Sequence, residues 1–278
     1  MEIDKIIEEA IIEDIGDGDH TSLATIPADK KGKAQLIIKE HGILAGVDIA
    51  ERVFLKTDKD LIFHKLVSDG SVIRPGDIVF TVEGNSISIL SGERLALNFM
   101  QRMSGIATYT NKLVSLIAGT KTKLLDTRKT TPLLRELEKY SVKVGGGENH
   151  RMGLYDMIMI KDNHIDFAGG IIPAIEATKK YLSGKNKNLK IEIEVKNLDE
   201  LEVVLNHGGV DRIMLDNFTP QELRNAVEKI DGSYETEASG GITESTIRDY
   251  AETGVDYISV GALTHHISSL DMSLLAVK

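Results

Sequence analysis

The chain has 278 residues, no cysteine, no tryptophan and a formal net charge of -10, from 33 Lys and Arg against 43 Asp and Glu. This length buries a real core in one large domain or two smaller ones. The missing cysteines exclude disulfides, thiolate metal sites and a cysteine nucleophile, and the acidic balance with 5% aromatic residues argues against a general nucleic-acid binder. With no apolar leader and no run of about 20 apolar residues, the expected protein is soluble and cytoplasmic, without a membrane or nucleic-acid partner.

In chain order, residues 1–15 carry Ile3, Ile6, Ile7, Ala10 and Ile11 at helical spacing. Residues 14–22 read as a solvated loop. They are acidic but lack the pattern and closing Glu of a calcium-binding EF-hand. Short strand signals follow: a strand at 33–39, a helix at 45–54, and a turn at Arg74-Pro75-Gly76-Asp77 before a strand at 78–83. A second turn at Gly84-Asn85 precedes an alternating stretch at 86–90. Residues 93–117 read as one long helix, or two, with Gly105 inside.

From residue 121 the pattern changes. Apolar runs at 124–127, 157–160, 191–193, 212–215, 234–238 and 257–260 are mostly separated by helix-like segments. Strands alternating with helices build a parallel sheet or barrel whose ligand face lies at the strand C-terminal ends. A full eight-fold barrel takes about 250 residues, so the expected object is an incomplete barrel or an open parallel sheet. The apolar residues of 263–278 have enough surface to pack back, with the first domain as one candidate.

The strand ends carry the candidate chemistry. Thr127-Arg128-Lys129 puts a hydroxyl and two cations after the first run, and an Arg fork matches carboxylate or phosphate oxygens in pairs. Gly145-Gly146-Gly147 precedes His150 and Arg151, where backbone passes close to something. Lys161 emerges directly from the second run; it is either a Schiff-base amine with a pKa lowered by burial or a cation that holds an anion. Glu192 and Glu194 share a strand face, and Glu194 lies nearer the C-terminal end. Asp216 occupies the matching place on the next strand. Such a carboxylate pair suits Mg²⁺, ribose hydroxyls or structural pairing with Lys and Arg. Ser239-Gly240-Gly241 and Gly261-Ala262 end the last two strands, and turns of this kind present backbone N–H groups to a phosphate.

Taken together, these motifs resemble the quinolinate phosphoribosyltransferase family, also called nicotinate-nucleotide pyrophosphorylase (carboxylating). The resemblance runs through Glu13-Asp14-Ile15-Gly16-Asp17-Gly18-Asp19-His20-Thr21, Gly92-Glu93-Arg94-Leu95-Ala96-Leu97-Asn98, Ser104-Gly105-Ile106-Ala107-Thr108, Thr127-Arg128-Lys129-Thr130-Thr131-Pro132, His150-Arg151, Lys161-Asp162-Asn163-His164, Leu215-Asp216-Asn217-Phe218 and Glu237-Ala238-Ser239-Gly240-Gly241-Ile242. It implies an α/β protein with an N-terminal α/β sandwich over residues 1–105 and an incomplete, six- to seven-stranded α/β barrel over 106–267, with the tail 268–278 packing back on the first domain. It also implies a reaction: quinolinate and phosphoribosyl pyrophosphate give nicotinate mononucleotide, pyrophosphate and CO₂ with Mg²⁺, a step of NAD synthesis.

By the same resemblance, Arg128, His150, Arg151 and Lys161 hold the two carboxylates of quinolinate, with Arg94 supplied by a second subunit of a homodimer or larger assembly. Lys129 faces phosphoribosyl pyrophosphate, Glu194 and Asp216 take the ribose hydroxyls and Mg²⁺, and Ser239, Gly240, Gly241, Gly261 and Ala262 bind the 5-phosphate. Thr127 belongs to the substrate-binding set, and Lys129, Lys161, Glu194 and Asp216 are the candidate catalytic residues. Three rival readings remain: a molybdate-transport-associated relative, a Schiff-base lyase using Lys161, and a non-catalytic phosphoribosyl-ligand sensor.

Overall fold

The computed structural model describes residues 3–277. The elements run α1 (Ile3–Ile15), α2 (His20–Thr25), β1 (Lys31–Ile38), β2 (Gly42–Ile43), α3 (Val47–Thr57), β3 (Ile62–Lys65), β4 (Val72–Ile73), β5 (Ile78–Asn85) and α4 (Ser86–Leu116). Then come β6 (Lys123–Leu125), α5 (Arg135–Val144), β7 (Ile158–Ile160), α6 (Asp162–Ala168), α7 (Ile171–Lys185), β8 (Ile191–Val195), α8 (Leu198–His207), β9 (Arg212–Asp216) and α9 (Pro220–Ile230). The last are β10 (Glu235–Ser239), α10 (Ile247–Ala251), β11 (Tyr257–Ser259), α11 (Ala262–His265) and β12 (Met272–Ala276). Contacts divide the chain into two compact units. One comprises Met1–Asn111, Thr130–Gly146 and Leu263–Lys278; the other comprises Lys112–Lys129 and Gly147–Ala262. The segment Thr130–Gly146, inside the range assigned to the barrel from sequence, thus groups with the first unit.

The first unit is built on a four-stranded antiparallel sheet in the order β12-β1-β5-β3. β12 comes from the chain's far end and pairs Leu274 with Leu36, which covers an edge that would otherwise expose unpaired backbone groups. α3 buries Val47, Ile49, Ala50, Val53 and Phe54. Asp69 holds its start, accepting the N–H groups of Gly46 at 2.8 Å and Val47 at 3.0 Å. Phe54, Phe63 and Phe80 meet with ring centroids 4.5–6.1 Å apart. Phe80 is fully enclosed, so Phe80→Ala is expected to cost about 3–5 kcal/mol of unfolding free energy by equilibrium denaturation.

Two local expectations change. Residues 20–25 are helical rather than loop, because Asp19 caps α2 by accepting the Ser22 N–H at 3.1 Å. The stretch 86–90 is the start of α4, and Gly84-Asn85 belongs to β5. The Asn85 side-chain oxygen accepts the N–H groups of Ile87 at 2.9 Å and Ser88 at 3.2 Å. That satisfies the first turn of a helix, and the local alternation loses to it. α4 then runs unbroken through Gly105, where a Cβ would lie 2.2 Å from the Ser268 carbonyl oxygen. Glycine there permits close backbone approach.

The second unit carries a six-stranded parallel sheet in the order β6-β11-β10-β9-β8-β7, the six-stranded form of the incomplete barrel. A single parallel bridge joins Leu125 to Glu148 at the β6 edge. Strands buried on both faces read as apolar runs: Ile191, Ile193 and Val195 on β8, and Ile213 and Leu215 on β9, are all buried. The alternate residues Glu192, Glu194 and Arg212 are buried too, so the opposite face of the same strands is a polar interior. The helices are locally specified. α9, for instance, begins with Thr219 and Glu222 capping each other's backbone, has Pro220 in its first turn, and ends on Asp231 in the left-handed region. No helix among the described residues is long and apolar enough to cross a membrane.

Candidate active site

The second unit gathers cations and carboxylates at the C-terminal ends of its strands. Lys161 follows β7 directly, and its Nζ lies 2.7 Å from the Glu194 carboxylate on β8. Its backbone N–H donates to His164 Nδ1 at 3.0 Å, which fixes the chain where it turns from strand into α6. Glu194 is almost wholly enclosed while the Lys161 side chain is 44% exposed, so the cation stands at the mouth and the anion beneath it.

Asp216 ends β9. Burial pushes its carboxyl above the ordinary value, and the Glu194 carboxylate pushes the same way; Lys161 and the Asn217 amide oppose both. Asn217 Nδ2 donates to Asp216 Oδ2 at 2.7 Å and its backbone N–H donates to the Ser239 carbonyl at 2.8 Å. Asn217 takes a positive φ of 58°. Gly240 lies against it, since a Cβ on Gly240 would meet the Asn217 side chain at 2.2 Å. The glycine of the Ser239-Gly240-Gly241 turn is thus required by its neighbour as well as by its own φ of 97°.

Arg128 and Arg151 act on each other electrostatically. Burial lowers the Arg151 pKa, and the charge of Arg128 lowers it further. Arg151 is anchored by donating from Nη1 to the Met157 carbonyl at 3.1 Å. Thr127 Oγ1 accepts the Lys129 N–H at 3.0 Å, which shapes the turn carrying Arg128 and Lys129. His150 is buried, with Nε2 3.0 Å from Glu192 and 3.2 Å from Glu237. Burial alone would lower its pKa, but the two carboxylates outweigh that and push it up to about 9.

Two family models match this chain: the quinolinate phosphoribosyl transferase N-terminal domain over residues 19–104 and the C-terminal domain over residues 106–275. The chain belongs to the quinolinate phosphoribosyltransferase family. It is 44% identical over 284 residues to the chloroplastic nicotinate-nucleotide pyrophosphorylase (carboxylating) of Arabidopsis thaliana, across 97% of this chain and 81% of that protein. It is 42% identical over 276 residues to the probable nicotinate-nucleotide pyrophosphorylase (carboxylating) of Bacillus subtilis, across 99% and 93%. The solved nicotinate-nucleotide pyrophosphorylase of Francisella tularensis superposes with a TM-score of 0.93 at 44% identity, across 99% and 96%.

In this family member, the unit that holds the parallel sheet also holds Thr127, Arg128, Lys129, His150, Arg151, Lys161, Glu194, Asp216, Ser239, Gly240, Gly241, Gly261 and Ala262. Lys161 and Glu194 are brought into direct contact, Asp216 lies within electrostatic reach of both, and Arg151 lies within reach of Arg128. Arg94 is different: it is exposed on α4, in the first unit. The sequence reading passed over Glu192 in favour of Glu194 and gave no role to Glu237 or Arg212. The available signal was the alternation that puts Glu192 on the Glu194 face and Glu237 two residues before Ser239.

Proposed function

We propose that this chain transfers the phosphoribosyl group of phosphoribosyl pyrophosphate to quinolinate and removes CO₂, giving nicotinate mononucleotide and pyrophosphate for NAD synthesis. The observation that carries the reading is the Lys161–Glu194–Asp216 constellation at neighbouring strand ends, in the same unit as the cations Arg128, Arg151 and His150. A pyridine dicarboxylate needs cations, whereas a ribose with a pyrophosphate leaving group needs hydroxyl acceptors and a place for a divalent ion.

In this reading Arg128, Arg151, His150 and Lys161 hold the dicarboxylate. Lys129 faces the pyrophosphate. Thr127 supports the turn that carries Arg128 and Lys129. Glu194 and Asp216 accept from the ribose hydroxyls, and the turns at Ser239-Gly240-Gly241 and Gly261-Ala262 take the 5-phosphate. The pyridine nitrogen bonds to the anomeric carbon as the bond to pyrophosphate breaks. The new ring cation then draws the electron pair of the departing 2-carboxylate onto the ring, and that carbon takes up a proton. Positioning and charge stabilisation supply the acceleration, and no side-chain nucleophile is needed.

The carboxylate pair fits Mg²⁺. Asp216 ionises less readily beside Glu194, and an added cation relieves that repulsion. Mg²⁺ held by Glu194 and Asp216 would neutralise charge developing on the leaving pyrophosphate. The Schiff-base reading is disfavoured because Lys161 is partly exposed and ion-paired at 2.7 Å, whereas an amine nucleophile is activated by burial or a second cation. The cysteine-free sequence is compatible with a cytoplasmic location.

The decisive assay supplies the protein with quinolinate, phosphoribosyl pyrophosphate and Mg²⁺ and measures nicotinate mononucleotide and CO₂. Equal turnover of nicotinate would remove the two-carboxylate site. Binding of phosphoribosyl pyrophosphate without turnover would support the sensor instead. The reading also makes the protein a homodimer with Arg94 reaching the second copy's site. Mixing inactive Arg94→Ala with inactive Lys161→Ala is then expected to restore about a quarter of wild-type activity, because randomly formed hybrid dimers, half the population, carry one intact site each. No recovery under demonstrated subunit exchange would refute the shared site.

A further inference from the structure

In the first unit, Arg102 on α4 and Glu138 on α5 form an ion pair whose carboxylate is enclosed. Arg102 Nε donates to Glu138 Oε1 at 2.8 Å. Its Nη2 lies 2.6 Å from the same oxygen, 2.8 Å from the Thr131 hydroxyl oxygen and 3.0 Å from the Thr264 carbonyl oxygen. The two hydrogens of Nη2 are thus shared among three acceptors. Glu138 Oε2 accepts the Thr131 backbone N–H at 3.2 Å. All four residues belong to the same unit.

The pair therefore holds two stretches of chain that are far apart in sequence. Thr131 is the second residue after Lys129, and Thr264 is the second after Ala262. The Thr131 end is held from several directions. The Leu134 N–H donates to the Thr131 carbonyl at 3.1 Å, closing a turn with Pro132 second and Leu133 third. Leu133 takes a φ of 67°, which turns of this kind usually give to glycine. A leucine stays in that region only where its surroundings fix it. Arg135 Nε adds another tie, donating to the Thr130 hydroxyl oxygen at 3.0 Å. At the other end Thr264 is buried.

We propose, resting on the phosphoribosyl pyrophosphate part of the reading above, that Arg102 and Glu138 are positioning residues that set the spacing between the two phosphate subsites. On that reading Lys129 faces the pyrophosphate and the Gly261-Ala262 turn takes the 5-phosphate. These groups sit at opposite ends of one substrate, which fits only when both turns stand the right distance apart. The Arg102 guanidinium is a rigid planar fork, and one nitrogen of it ties the chain two residues beyond each turn. Both residues act through the turns they hold. The consequence is specific. A ligand that fills one subsite does not sense the spacing. A ligand that fills both does, because its second contact forms at an effective concentration set by that distance.

The test is calorimetric titration with Mg²⁺ present and quinolinate absent. The probes are phosphoribosyl pyrophosphate, inorganic pyrophosphate and ribose 5-phosphate. Arg102→Met combined with Glu138→Gln removes the ion pair without leaving a buried charge unpaired. Thr131→Val removes one tie and keeps the pair. In the double variant, Kd for phosphoribosyl pyrophosphate is expected to rise about tenfold, while Kd for each fragment stays within about twofold of wild type. Thr131→Val should move in the same direction by about threefold. Unchanged binding of phosphoribosyl pyrophosphate in the folded variants overturns the proposal and leaves the reading of the reaction intact. An equal loss for all three probes also overturns it, marking the pair as a support for the fold alone. If the double variant does not fold, Thr131→Val decides by the same criteria. A wild type that binds phosphoribosyl pyrophosphate without converting quinolinate counts against the reaction and leaves the spacing role standing. A wild type that binds none removes both.

Discussion

Lys161→Ala is expected to lower kcat/KM for quinolinate by about 10²–10³-fold without changing the far-ultraviolet circular dichroism of the protein. Lys161 is anchored at both ends, through its backbone N–H on His164 and through Nζ on Glu194. A charge held in place before substrate arrives needs no reorganisation during reaction, and losing one such group costs about 10²–10³ in rate. The substitution also leaves the nearly enclosed Glu194 without its counterion, next to an Asp216 whose ionisation is already opposed by that same carboxylate. On the proposed reading, the damage would therefore reach the carboxylates offered to the ribose and Mg²⁺ as well as the dicarboxylate pocket. Lys161→Arg keeps the charge but replaces a compact ammonium with a planar fork, and is expected to recover about tenfold over alanine. Steady-state kinetics with each substrate varied in turn check both. A Lys161→Ala enzyme within about threefold of wild type would take Lys161 out of the chemistry.

The barrel unit was legible because parallel strands covered on both faces must be apolar on the outward side, as Ile193, Val195, Ile213 and Leu215 are. The residue that follows each apolar run therefore marked the C-terminal end of its strand, and Lys161, Glu194 and Asp216 could be placed there from sequence. The polar layer one level down was less visible. That Arg212 lies beside Glu192, and that His150 comes between Glu192 and Glu237, follows from strand register and from the path of the 148–151 segment. Neither is encoded in local spacing. In the first unit, the stretch 86–90 misled because its alternation is genuine but short. One side chain, Asn85, satisfies the helix start and decides the outcome. The grouping of Thr130–Gly146 with the first unit likewise depends on long-range contacts, which a reading in chain order divides at the wrong places.

Asp216→Asn is expected to remove most activity while making the ligand-free protein more stable. The Asp216 carboxyl is raised from its ordinary value of 3.8 by burial and by Glu194. A raised value in the folded state means that ionised Asp216 is better accommodated in the unfolded chain, so at neutral pH it costs folding free energy. That cost is complete above the raised value and vanishes once pH falls below 3.8, where the carboxyl is protonated in both states. An amide imitates the protonated form at every pH. Since Asp216 is only half-buried and water screens part of the repulsion, the variant should melt about 1–3 °C higher at pH 7. The advantage should disappear as wild type is acidified toward pH 4. On the proposed reading, activity should move the other way, falling about 10²–10³-fold, because the carboxylate that costs folding free energy is the one proposed to meet the ribose and Mg²⁺. Mg²⁺ separates the two effects without an assay of turnover: it should raise the melting temperature of wild type and leave Asp216→Asn nearly unmoved. Equal stabilisation of both proteins would show that the ion binds elsewhere. A variant less stable than wild type at pH 7 would mean that Asp216 is there for structure.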